Sequence, residues 1–130
     1  MTAVAAPVPR WVHQIMREID TLSFGDGFAH LTDDTEMYFG TAHIVGTPAI
    51  QEFFVRIDEP LHITHEVLEF WTAPGGVCLL RGEARMAKKA APDEVVQAPF
   101  MHIFYLADTD PARIATWRIT AGPLRTDAVL

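Results

Sequence analysis

The sequence is poor in the residues on which several large function classes depend. Cys78 is its only cysteine, so no internal disulfide forms and no thiolate cage can hold a metal, and a reducing, cytoplasmic setting is expected. Lys and Arg number 10 against 17 Asp and Glu, giving a formal charge of −7, and only Lys88 and Lys89 stand side by side. Such a chain has no basic patch with which to grip nucleic acid or an anionic membrane surface. No apolar run approaches the roughly 20 residues that span a bilayer, and the N-terminal TAVAAPVP lacks the apolar centre of a secretory signal. No GxGxxG or GxxxxGK run is present for a nucleotide. His62 and His65 lie three apart in a predicted strand and so point to opposite faces, which leaves no spacing for a metal site. Neither a metal nor a cofactor is expected.

What remains is 130 residues, 49% of them hydrophobic, enough for one domain with a real core. Pro7 and Pro9 hold residues 1–10 extended as a flexible arm. The domain proper runs over residues 11–124, and residues 125–130 form a tail. Val12, Ile15, Met16, Ile19 and Leu22 recur at helical spacing and predict a first helix. Gly25 and Gly27 break it, and Phe28, Ala29 and Leu31 predict a short second helix. Two short strands follow, at 36–40 and 43–45. Thr47 as cap and Pro48 in the first turn start a third helix, on which Ile50, Phe53, Phe54 and Ile57 recur, and Pro60 ends it.

Four strands complete the chain, at 61–71, 77–87, 94–107 and 113–120, with Gly, Pro and Asp in the connections. No helix intervenes between them, so they run antiparallel. The expected fold is therefore α+β: one curved antiparallel sheet with three helices on its concave face and a cavity between the layers.

The stretch LHITHEVLEFW, Leu61 to Trp71, concentrates the chemistry. Strict alternation puts Ile63, His65, Val67, Glu69 and Trp71 on one face, and His62, Thr64, Glu66, Leu68 and Phe70 on the other. His65 thus sits in an apolar row, where an imidazole needs a partner. His102 has the same problem in PFMHIFYL. Arg81 and Glu83 share one face of a strand, with Arg85 beside them.

Several runs carry a resemblance: Ile19–Asp20 ahead of GDGF, LTDD at 31–34, YFGTAHIVGTPAIQEF at 38–53, THEVLEFW, and IATWRI before Pro123–Leu124. Together they resemble the nuclear transport factor 2-like superfamily, and within it the SnoaL-like and ketosteroid-isomerase-like proteins. The resemblance spans residues 11–124 and implies the cone-shaped fold. It implies no single reaction, because that fold hosts isomerases, dehydratases, cyclases, epoxide hydrolases and binders.

Carried over position by position, the resemblance sorts the candidates. The ketosteroid-isomerase base falls on Phe39, which takes no proton; that family's helix-1 tyrosine falls near Glu18 and its oxyanion acid near Met101 or His102. Scytalone-dehydratase-like proteins pair an aspartate ending helix 1 with a histidine on the strand after the third helix, and Asp20 and His65 match both. That family's water-holding tyrosines correspond to Ile19 and Phe39. In limonene-epoxide-hydrolase-like proteins an Asp-Arg-Asp set holds water, of which Arg81 and Glu83 imitate two members, while Ile119 replaces the third.

The sequence therefore points to a cofactor-independent lyase, isomerase or cyclase acting on a hydrophobic cyclic small molecule. Asp20 orients His65, His65 is the general acid/base, and Arg81 or His102 polarises an oxygen. Glu18, Ile19, Phe39, Phe54, Trp71, Glu83 and Met101 are the candidate substrate-binding residues. The rivals are an epoxide hydrolase built on Arg81 and Glu83, and a non-catalytic binding or dimerisation domain. The resemblance implies a homodimer through the sheet's second face, and Leu68 and Phe70 on that face fit such a contact.

Overall fold

The computed structural model describes residues 2–122. Its elements in chain order are β1 (Val4–Ala5), α1 (Arg10–Thr21), a 3-10 turn (Phe28–His30), β2 (Glu36–Phe39), β3 (Ala42–Val45), α2 (Thr47–Asp58), β4 (Leu61–Ala73), β5 (Val77–Lys88), β6 (Val96–Thr109) and β7 (Ala112–Ala121). Two α-helices are present among the described residues, not three. The expected short second helix is a single 3-10 turn, because Gly25 and Gly27 leave it only three residues before Leu31 returns to extended backbone. Pro123, Leu124 and the tail at 125–130 lie outside the described residues.

The seven strands form one curved sheet in the order β1-β4-β5-β6-β7-β2-β3. The β4 to β7 succession is antiparallel as expected. The sheet as a whole is mixed, because β2 pairs in parallel with β7, Met37 opposite Trp117. Those two strands are far apart in sequence, so no hairpin fixes their relative direction. Within the stretch read as an arm, Val4 and Ala5 pair with Thr72 and Trp71, and the Ala6 N–H donates to the Phe70 carbonyl.

The helices cover one face of the sheet. Val12, Ile15, Met16 and Ile19 of α1 and Ile50 and Phe54 of α2 are buried against Phe100, Phe104, Trp117 and Ile119. Burying one such side chain contributes about 1.5–3 kcal/mol, so these stripes fix where the helices lie. Thr47 does not cap α2: Gly46 holds the cap position, and the Thr47 hydroxyl instead donates to the Thr32 carbonyl.

One irregularity rearranges the strand that carries His65. The β4–β5 register shifts between Val67 and Glu69, a β-bulge at Leu68. The extra residue flips the alternation beyond it. Ile63, His65 and Val67 face the helices as expected, but Phe70 then turns into the core and Trp71 turns out, 38% exposed. Gly82 on β5 lies opposite Val67 at this point. A β-carbon there would come within 2.1 Å of the Glu66 carbonyl oxygen and 2.4 Å of the Phe100 ring, so only glycine lets Phe100 cross the strand.

Candidate active site

Asp20 stands in the last turn of α1, and His65 lies midway along β4. A carboxylate at a helix C-terminus opposes the helix dipole, so Asp20 needs donors, and β4 supplies two. The two-residue β1 covers β4 only at Trp71 and Thr72. At His65 the α1 carboxylate takes the neighbour's place: the His65 N–H donates to Asp20 Oδ2 at 3.1 Å, and the ring Nδ1 is hydrogen-bonded to Asp20 Oδ1. Both side chains are largely buried, at 12% and 18% exposure. With Nδ1–H donating to the carboxylate, Nε2 carries the lone pair and is the basic nitrogen.

His65 lines a cavity of about 280 Å³ between the helices and the sheet. Ile19, Phe39, Phe54, Phe100 and Ile119 make up much of its wall, and the His65 ring meets Phe100 edge-on with centroids 5.1 Å apart. Asp58, His65 and His102 are the only polar side chains among the described residues that line it. A wider cleft of about 550 Å³ adjoins this cavity and shares Asp58, Leu61, Ile63 and Met86 with it. Thr21, His62, Arg85 and Lys89 line the outer part of that cleft.

His102 projects from β6 into the core, where its Nδ1 accepts a hydrogen bond from Trp117 Nε1–H at 3.2 Å. Burial first, and the nearby His65 second, push its pKa down to about 3. His102 is therefore neutral, and since Nδ1 accepts, its one proton sits on Nε2 as a donor. A neutral imidazole N–H of this kind can polarise a carbonyl without titrating near neutral pH.

Asp58 was not among the sequence candidates. It ends α2, is 7% exposed, and lines both the cavity and the cleft. Burial pushes its pKa up to about 6; His65 pulls it down and Asp20 raises it. Its signal was nonetheless in the sequence: Ile50, Phe54 and Asp58 are spaced by four, so the carboxyl continues the buried stripe of α2.

Asp20, His65, His102, Ile19, Phe39 and Phe54 thus meet at one place, and five of the proposed residues do not. Arg81 and Glu83 are exposed on the opposite face of β5, where Arg81 Nε pairs with Glu69 at 3.2 Å. Buried Leu80, Gly82 and Ala84 hold the inward positions of that strand. Met101 alternates with His102 and so points outward, 48% exposed. Trp71 is turned out by the bulge.

Glu18 is buried but aimed at its own loop, accepting from the N–H groups of Gly25, Gly27 and Phe28 at 2.8, 2.7 and 2.9 Å. That carboxylate organises the 25–28 segment and leaves no group for a ligand. Among the remaining histidines, His30 Nδ1 donates to the Ala112 carbonyl at 2.6 Å, and His43 meets Glu36 at the surface. No three His, Cys, Asp or Glu side chains among the described residues converge to hold an ion.

No protein-family model and no curated protein matches this sequence. Solved structures match its fold. An NTF2-like protein of Anabaena variabilis is 15% identical over 88% of this chain and 85% of its own, with a TM-score of 0.72. A hypothetical protein of Catenulispora acidiphila with a ketosteroid isomerase-like fold, in complex with trimethylamine, is 13% identical over 88% and 86%, with a TM-score of 0.71. An LEH-like epoxide hydrolase of M. tuberculosis is 20% identical over 87% and 80%, with a TM-score of 0.67. Other matches are provisionally described as SnoaL-like polyketide cyclases. Identities this low carry the architecture and not the activity. The element order, the single curved sheet and these matches agree: the chain has the nuclear transport factor 2-like fold.

Proposed function

We propose that this chain is a cofactor-independent lyase, isomerase or cyclase that acts by general acid/base catalysis on a hydrophobic cyclic small molecule such as a polyketide, terpenoid or steroid. The observation that carries the reading is an imidazole held by a carboxylate at the wall of a largely apolar cavity. His65 Nε2 removes the proton beside a substrate carbonyl, and Asp20 stabilises the imidazolium that results. His102 Nε2–H donates to the carbonyl oxygen as it gains charge. The apolar wall, with Phe39, Phe54 and Phe100, holds the ring and excludes water, which strengthens each of these interactions. The epoxide-hydrolase reading built on Arg81 and Glu83 is not carried forward, because both side chains lie outside the cavity.

The lone, buried thiol of Cys78 is in keeping with a reducing cytoplasm. The test is turnover of a panel of cyclic and aryl ketones bearing a β-leaving group, by the wild-type protein and by Asp20→Asn and His65→Gln. Each substitution is expected to lower kcat by roughly 100-fold or more. Equal turnover by all three proteins sinks the base assignment. A binder without catalysis is the second reading, supported by the trimethylamine held by one fold relative. It predicts ligand-dependent stabilisation with no turnover by any of the three.

A further inference from the structure

Asp58 is a buried carboxyl at the end of α2 that the base mechanism does not use, and among the described residues no group is hydrogen-bonded to it. It occupies the wall common to the cavity and the cleft, close enough to the Asp20–His65 pair for their charges to act on it. Leu61, Ile63 and Met86 surround that shared wall with apolar surface. No hydrogen bond among the described residues gives this carboxyl a structural task, and its charged form is opposed both by the apolar surround and by the C-terminal end of its own helix.

We propose that Asp58 is a second catalytic residue, the general acid that protonates the leaving oxygen of a β-hydroxy carbonyl substrate, so that the site carries out dehydration. The inference rests on His65 being the base. His65 Nε2 takes the proton from the carbon beside the carbonyl, and that C–H electron pair becomes the new C=C bond. The C–O bond breaks as this happens, and the departing oxygen takes the Asp58 proton and leaves as water. The proton on His65 then passes to the Asp58 carboxylate, directly or through the released water, and both groups are restored. The substrate class is a cyclic or aryl β-hydroxy ketone whose ring lies against Phe54 and Phe100, and the product is its conjugated enone.

Asp58 must be protonated to serve, and its pKa of about 6 sets where that is lost. The charged groups that act on it are His65 from β4 and Asp20 from α1; His62, Arg85 and Lys89 line the adjoining cleft. Of these, Asp20 favours the protonated form and His65 opposes it.

Two probes distinguish acid from base: an aryl β-hydroxy ketone, and the same ketone with p-nitrophenoxide as leaving group, which departs without help from an acid. Enone formation is followed by absorbance for wild type, Asp58→Asn, Asp58→Glu and His65→Gln. Asp58→Asn is expected to lose roughly 100-fold or more on the hydroxy ketone and under about 10-fold on the p-nitrophenoxy ketone. Asp58→Glu should recover part of the loss, and the fall in wild-type kcat as pH rises through about 6 should vanish in Asp58→Asn. Equal losses on both probes, or none on either, overturn the acid role while a large loss in His65→Gln leaves the base standing. If wild type eliminates neither leaving group, both assignments fall. Unchanged circular dichroism and a melting temperature of Asp58→Asn no lower than that of wild type at pH 8 show that the variant reports chemistry and not unfolding.

Discussion

Asp58 has a consequence for stability that can be measured without a substrate. Its folded pKa, about 6, lies above the ordinary 3.8. Between those values the folded state holds more protons than the unfolded chain, so stability falls as pH rises through the interval. Asp58→Asn removes that loss and should stabilise the protein at pH 7.5 by about 1–2 kcal/mol, allowing for partial solvation. The difference should close by about pH 4, and urea denaturation at the two pH values checks it. A less stable variant at pH 7.5 would mean that the carboxylate is satisfied. His102 acts in the opposite sense: its folded pKa, about 3, lies below the ordinary 6.5, so its share of stability is lost as pH falls below 6.5.

Residues of this kind were unevenly legible in the sequence. His65 and His102 stood out because an imidazole interrupts an apolar row, and Asp20 because its position matched a family pattern. Asp58 followed Ile50 and Phe54 in helical phase, yet an acid at a helix end reads by default as solvated. Glu18 was wrong for a different reason: its three partners are backbone N–H groups of a loop whose course no side-chain pattern specifies. Glu18→Gln should therefore leave the cavity chemistry alone and cost about 2–3 kcal/mol of stability, since charge-assisted bonds are lost at a buried site. Thermal denaturation measures the cost, and a change below about 0.5 kcal/mol contradicts the assignment.

At the scale of elements, helix and strand positions follow from periodicity, and most of those expected are present. The face of each strand beyond an irregularity does not. The bulge at Leu68 inserts one residue that the pattern LHITHEVLEFW cannot announce, because Leu68 and Phe70 are equally apolar. That single residue exchanged the positions expected for Phe70 and Trp71. The parallel pairing of β2 with β7 was equally hidden, since it depends on packing between segments remote in sequence. In the monomeric protein, Trp71 in its observed position should be quenched by acrylamide, whereas Trp117, fully buried, should be protected. Single-tryptophan variants make the comparison direct, and a protected Trp71 on a monomeric protein would place the bulge elsewhere.

For the whole molecule, the face of the sheet opposite the helices is the conspicuous surface. Leu68, Trp71, Met101 and Tyr105 are all well exposed there, at 43%, 38%, 48% and 37%. Apolar residues of this size gathered on one sheet face favour self-association, and we propose a homodimer through it. Light scattering should give twice the chain mass, and Met101→Glu should return it to a monomer by placing charge in that contact. A wild-type monomer at micromolar concentration contradicts the proposal. The cavity proposed to hold the hydrophobic small-molecule ligand lies on the other face of the same sheet, so the dimer and the cavity can be tested independently.

The central claim is that His65, held by Asp20, is a base acting on a carbon acid inside the cavity. Proton exchange tests it before any reaction is identified, because elimination, isomerisation and cyclisation all begin by loosening the same proton. A bicyclic ketone is incubated with the protein in deuterated water, and the loss of its α-proton signal is followed by nuclear magnetic resonance. Exchange well above buffer is expected with the wild-type protein, reduced roughly 100-fold or more in His65→Gln. Exchange at the buffer rate with wild type, or at an equal rate with His65→Gln, would contradict it.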